Sequence, residues 1–157
     1  MAGAGIRFRL LVVGRLRQGP HAALVAHYAE RIVPAPAIVE LEVRQPLPVA
    51  AQKAREAELI LVALPQDAPL LALAGHGVQW SSRAFAERIA RWRDDGVREL
   101  AFAIGGADGL DRGVVDRADV VLSLGAMTWP HFLARGMLLE QLYRAQQILA
   151  GHPYHRE

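Results

Sequence analysis

The sequence predicts an α/β protein with a mainly parallel sheet and helices on both faces, and three observations carry that prediction. Strand-like and helix-like stretches alternate along the whole chain, as a parallel sheet with crossover helices requires. Leu100 to Ile104 is apolar without polar alternation, the pattern of a strand buried on both faces. Apolar runs also leave directly into glycine: Leu73-Ala-Gly-His-Gly, Ile104-Gly-Gly-Ala-Asp-Gly and Leu124-Gly-Ala-Met-Thr-Trp-Pro. In open α/β sheets ligands bind beyond the carboxyl ends of the strands, which makes these exits candidate site segments.

Arg7 to Val13 reads as the first strand, stopped by Gly14, and the following loop carries Arg15 and Arg17. Leu24, Val25, Tyr28 and Ile32 recur at helical spacing, predicting a helix over His21 to Ile32 that Pro34 and Pro36 terminate. Val39, Leu41 and Val43 alternate with Glu40 and Glu42, the signature of a half-wet strand at a sheet edge. Prolines make Arg44 to Pro48 a loop, and strong helix formers fill Ala50 to Val62. Leu70 to Ala74 reads as a second buried strand. Ser81 or Ser82 caps a helix whose Phe85, Ile89 and Trp92 share one face and which Gly96 ends. After the Leu100 to Ile104 strand, Asp111 caps a short helix through Ala118, and Val120 to Leu124 is another strand. A long helix runs from about His131 to Ala150, stopped by Gly151 and Pro153.

Length and composition bound the function. At 157 residues, 52% of them hydrophobic, residues 1–157 are expected to form one domain with a real core. The opening stretch is too short and too charged for a secretory signal, so the cytoplasm is the default compartment. There is no cysteine, which removes disulfides and thiolate metal sites. Net charge is +2, and Lys53 is the sole lysine, so the basic side chains are almost all arginine, the residue suited to bidentate phosphate contacts.

If the three glycine exits belong to adjacent strands they form one slot, lined by backbone and by Leu73, Ile104, Leu124, Met127 and Trp129. Such a slot suits a flat heteroaromatic such as adenine. It lacks the phosphate-loop pattern and any nearby lysine, and the glycine spacing is not the dinucleotide fingerprint. No serine stands on a nucleophile elbow, and His152 with His155 is an incomplete metal set, so no metal is expected. His131 reads either as a helix-start residue or as a polar group of the slot. Tyr154, His155 and Arg156 together offer stacking, a titratable donor and a phosphate fork, the set that holds an unstacked RNA base. Arg15, Arg17, Arg135 and Arg144 are candidate RNA contacts if they share a face.

Ile104-Gly-Gly-Ala-Asp-Gly, Leu124-Gly-Ala-Met-Thr-Trp-Pro-His, Leu142-Tyr-Arg-Ala and His152-Pro-Tyr-His-Arg, in this order and spacing, resemble the ribosomal RNA large subunit methyltransferase H family of SPOUT methyltransferases. Val13-Gly-Arg-Leu-Arg, Tyr28 with Arg31, and Arg55-Glu-Ala-Glu extend the match over nearly the full length. The resemblance implies an S-adenosylmethionine-dependent enzyme that methylates N3 of a pseudouridine in 23S rRNA of the assembled ribosome. It implies a homodimer with its active site at the subunit interface and a trefoil knot near the carboxyl end. Cofactor contacts would be Leu73, Gly105 and Gly106, with the loop Leu124, Gly125, Ala126, Met127, Thr128 and Trp129. Tyr154, His155 and Arg156 would match the catalytic tail. Two positions depart from the family pattern: Ala74 stands where an acidic residue is common, and Arg44-Gln-Pro-Leu-Pro replaces a glycine-rich basic loop. The alternative is a non-catalytic RNA- or ribosome-binding module of the same fold; a nucleotide-dependent oxidoreductase is a further rival.

Overall fold

The computed structural model describes residues 5–157. Five strands, β1 (Arg7–Val13), β2 (Ala37–Leu41), β3 (Leu70–Val78), β4 (Glu99–Ile104) and β5 (Val120–Leu122), form one sheet in the order β2-β1-β4-β3-β5. Every pairing is parallel. The helices between and after them are α1 (Pro20–Ala29), α2 (Val49–Ala63), α3 (Ser82–Asp94), α4 (Arg112–Arg117) and α5 (His131–Leu149). Among the described residues no helix is long and apolar enough to cross a membrane.

Alternate side chains of the central strands enter two separate cores, which is why their sequences show no polar alternation. Phe8, Leu10, Leu71 and Phe102 point toward α1, α3 and α5, where Phe85, Ile89, Leu138 and Leu142 meet them. Leu11, Val13, Ala72, Ala101 and Ala103 point the other way, onto Ala57 and Ile60 of α2 and Val114 of α4. Both helix caps form as predicted: Ser81 Oγ accepts from the Ala84 N–H at 3.0 Å, and Asp111 Oδ2 accepts from the Gly113 N–H at 2.9 Å.

Four elements have bounds more than one residue away from the sequence reading. α1 ends at Ala29, leaving buried Ile32 to pack from the turn beyond it. Val43 lies outside β2, which stops at Leu41. The third is the most consequential, because β3 does not stop at Ala74 but continues through Gly75-His76-Gly77 to Val78. Its register against β5 shifts between Leu73 and Val78. This glycine exit is therefore extended strand rather than a turn. β5 lies so close that a Cβ on Gly77 would stand 2.5 Å from the Val121 carbonyl oxygen. β5 itself ends at Leu122, where Ser123 Oγ accepts from the Gly125 N–H at 3.1 Å and donates to the Gly125 carbonyl at 2.9 Å.

Candidate active site

Because β3 lies between β4 and β5, the carboxyl ends of all three are neighbours, as the slot predicted from the glycine exits requires. They enclose a cavity of about 740 Å³ that is closed on one side by His131 and Ala134 in the first turn of α5. Leu73, Gly105, Gly106, Leu124, Gly125, Ala126, Met127, Thr128 and Trp129 all line it. The walls are aliphatic and aromatic, and the loop after β4 contributes mostly backbone. Asp108 is the one carboxylate in the lining, and no arginine or lysine joins it.

The loop after β4 is a tight turn in which the Gly109 N–H donates to the Gly106 carbonyl at 3.0 Å. That turn folds back onto Gly105, where a Cβ would stand 2.5 Å from the Gly109 carbonyl carbon and 2.8 Å from the Leu110 nitrogen. The contact is backbone on backbone, so no rotamer change relieves it.

Beneath this turn lies a residue that the sequence reading quoted only within Arg55-Glu-Ala-Glu and gave no role. Glu56 of α2 is 7% exposed, and its Oε2 would stand 3.3 Å from a Cβ on Gly106. Burial raises its carboxyl above the ordinary value, and Asp108 adds to the rise; a hydrogen bond from Gln52 and the charge of Lys53 offset part of it. Its signal in the sequence was a charged residue one turn before Ile60, on the buried stripe of the helix. A carboxyl whose folded value is raised stabilises the fold fully below its unfolded value and loses that contribution as pH rises through the folded one. At neutral pH the ionised group therefore weighs against folding. Glu56→Gln is expected to raise the melting temperature by a few degrees at pH 7, with the gain disappearing below about pH 4, near the unfolded carboxylate range. Thermal melts at both pH values check this.

His131 satisfies both of its readings, as the first residue of α5 and as a polar group of the cavity wall. Burial, together with the neighbouring charges of Arg135 and His21, lowers its pKa and favours the neutral imidazole.

Arg135 overturns the expectation of an RNA contact. It is 1% exposed and donates to Glu40 Oε2 at 2.8 Å and to the Gly14 carbonyl at 3.2 Å. Its guanidinium carbon stands 5.3 Å from the centre of the Phe132 ring. Helical spacing sets Arg135 on the same buried face as Leu138, Leu139 and Leu142. Arg144 is also committed inside the chain: it donates to Glu140 Oε1 at 2.6 and 3.0 Å and covers the Tyr154 ring at 4.9 Å. Arg15 and Arg17 remain exposed.

The carboxyl-terminal tail folds along α5. Tyr154 packs edge-on against Tyr143 at 4.8 Å, and its hydroxyl donates to Glu140 Oε1 at 3.1 Å. Burial first, then the Glu140 carboxylate, pushes this phenol up to about 12. An Arg144 N–H donates to His155 Nδ1 at 3.2 Å, which sets the proton of the neutral ring on Nε2, a buried atom that makes no hydrogen bond and has Glu157 Oε1 3.8 Å away. Arg83 holds Glu157 at 2.8 Å, and Arg156 is exposed.

None of Tyr154, His155 and Arg156 lines the large cavity. Within one chain the tail does not reach this cavity, for a geometric reason. α5 has its first residue at the cavity and runs 19 residues, roughly 28 Å, before the tail begins. The tail returns only as far as Glu140. That residue lines a second cavity of about 420 Å³, with Tyr28, Trp80, Phe85 and Met137, which adjoins the first at Leu122, Leu124 and Gly125.

Comparison with known proteins agrees with this architecture. A family model described as "Predicted SPOUT methyltransferase" matches residues 6–155. A ribosomal RNA large subunit methyltransferase H from Rhodospirillum rubrum is 52% identical over 150 residues, spanning 94% of this chain and 99% of the relative. Among solved structures, a probable methyltransferase from Bordetella pertussis Tohama I shares the fold at a TM-score of 0.56 and 16% identity, covering 90% of this chain and 96% of that one. A Legionella pneumophila protein solved in complex with the bound cofactor SAM aligns at a TM-score of 0.50 and 14% identity, over 89% of this chain and 66% of that one. By the family model over residues 6–155 and the 52% identity to the Rhodospirillum rubrum relative over nearly the full length, the chain, with its parallel sheet and its cavity at three adjacent strand ends, belongs to the SPOUT methyltransferases and, within them, to the ribosomal RNA large subunit methyltransferase H family.

Proposed function

We propose that this methyltransferase uses S-adenosylmethionine to methylate N3 of a pseudouridine in 23S rRNA, acting in the cytoplasm on the assembled ribosome. The observation that carries the reading is the lining of the large cavity. Its apolar walls suit adenine, and backbone N–H and C=O groups are available to read its edge. The cofactor is cationic at sulfur, and the single carboxylate of the lining, Asp108, suits a cation where a polyphosphate would be repelled. Asp108 also offers an acidic group in a chain whose third strand carries Ala74. The Legionella protein of the same fold holds the same cofactor.

When bound, S-adenosylmethionine supplies an electrophilic methyl group. The protein's part is to align the base with that methyl and to remove the N3 proton, and alignment alone lowers much of the barrier. Tyr154 stacks on the extruded base, Arg156 favours its deprotonated form, and His155 accepts the proton at Nδ1 once the base displaces the Arg144 N–H from that atom, a task imidazole suits near neutral pH.

This assignment needs a second copy. The tail lines neither cavity of its own chain, so a homodimer in which one tail reaches the partner's cavity brings the catalytic groups to the cofactor. The trefoil knot of the family belongs to the same reading, as does a single domain over residues 1–157. Arg15 and Arg17 meet RNA phosphates, which predicts binding that weakens steeply with salt.

Calorimetry with S-adenosylmethionine tests the cofactor. A folded dimer that does not bind it overturns the reading in favour of a non-catalytic ribosome-binding module. Mass-spectrometric mapping of rRNA from cells lacking the protein tests the substrate: the expected result is one pseudouridine without its methyl group.

A further inference from the structure

The loop between β1 and α1, residues 14–19, is pinned at three points. The Gly14 N–H donates to the Leu41 carbonyl of edge strand β2 at 2.8 Å. The Gly14 carbonyl accepts from Arg135 at 3.2 Å, and the Leu16 N–H donates to Glu40 Oε2 at 2.6 Å. Glu40 and Arg135 bond each other at 2.8 Å, so one ion pair grips the loop from both sides. The Arg135 side chain is 2% exposed, and its Nε is buried without a partner. Burying a guanidinium is costly, and apolar residues of similar volume commonly give equal stability. What apolar residues cannot do is hold a carbonyl and, through Glu40, an amide of the same loop.

The residues so held flank the arginines that face solvent. Arg15 stands between the two gripped residues and Arg17 directly follows. The loop also abuts the cavity, since a Cβ on Gly14 would stand 3.6 Å from Nε2 of His131, a cavity-lining residue. We infer that Arg135 and Glu40 are positioning residues for the RNA substrate: their clamp presets Arg15 and Arg17 beside the α5 edge of the cavity. The inference rests on the reading that those two arginines meet RNA phosphates. A preset loop loses less freedom on binding, so the clamp acts on RNA affinity and leaves cofactor affinity alone.

Glu40→Gln tests this in the full-length dimer, using ribosomes whose 23S rRNA lacks the methyl group. The amide accepts fewer bonds and carries no charge for Arg135. The expected result is a KM for ribosomes about tenfold higher, kcat within about twofold, and S-adenosylmethionine affinity at the parent value. Both arginines still reach phosphate in the complex, so the slope of log K against log salt should stay at the parent value in the clamp variant and become shallower by roughly 1.4 to 1.8, the release expected from two phosphate contacts, in the Arg15→Ala, Arg17→Ala chain. In a chain that already carries Arg15→Ala and Arg17→Ala, Glu40→Gln should cost nothing further. Arg135→Lys keeps the buried charge but spans one acceptor instead of two, and it gives the same readout should Glu40→Gln fail to fold. A parent KM in both clamp variants, full additivity with the arginine variants, or a parallel loss of cofactor affinity would overturn the clamp. If the Arg15→Ala, Arg17→Ala chain itself keeps the parent slope, the phosphate reading of the loop falls, and the clamp with it.

Discussion

Removal of residues 154–157 is expected to lower methyl transfer at least about 100-fold while S-adenosylmethionine still binds at the parent affinity. The size follows from the roles assigned to the tail: general acid–base groups contribute about 100- to 10,000-fold, and Arg156 and Tyr154 add alignment. The unaffected cofactor affinity follows from the division of roles: the strand ends and the Leu124 to Trp129 loop hold the cofactor, while the tail meets the base. The truncated chain loses the packing of Tyr154 on Tyr143 and the exposed Arg83–Glu157 pair, so its melting temperature should fall by only a few degrees. Stopped-flow single-turnover assays with calorimetry in parallel separate the two effects. Within the tail, His155→Ala at the native single-turnover rate would remove His155 as the base. If the tail serves the partner, mixing truncated chains with full-length chains disabled at the cavity should restore activity, since each mixed dimer keeps one complete site.

Gly105→Ala carries the second large effect. Its Cβ would lie 2.5 Å from the backbone of Gly109 and 2.8 Å from that of Leu110, so the turn must move as a unit. Overpacking of this kind costs about 1–3 kcal/mol, and here the upper end applies because the obstacle is main chain. The displaced segment, Gly106 to Gly109, is a wall of the cavity, so cofactor affinity is expected to fall at least about tenfold. Gly75→Ala is the control: it lines the same cavity, yet nothing lies within 4 Å of an added Cβ. Calorimetric titration of both variants checks the contrast, and equal losses would mean that the turn tolerates the methyl group.

Several features of the fold and site were legible in the residues. β1 has the predicted bounds because its apolar run ends at a glycine, and α5 starts at the predicted His131. The glycine pattern after Ile104 marked a wall of the cavity, since close backbone approach leaves room only for hydrogen. The misses share a cause. β3 extends past Ala74 because β5, more than forty residues later, pairs with it; Gly75-His76-Gly77, exposed at its first two residues, carries no apolar period of its own. Arg135 reads as a surface cation by type, and it is distant groups, Glu40 at 95 residues and the Gly14 carbonyl at 121, that offset the cost of its burial.

The order of apolar, polar and glycine residues by itself determined the α/β class, nearly every element and the lining residues Leu73, Ile104, Leu124, Met127 and Trp129 of the large cavity, because each depends on neighbours a few positions away. Tertiary structure alone decided that Arg135 turns inward to hold a loop, that Glu56 lies beneath the glycine turn, and that the tail stays on its own α5. Those outcomes depend on which distant groups share a small volume, and the charge and burial of such a volume are properties of the folded chain.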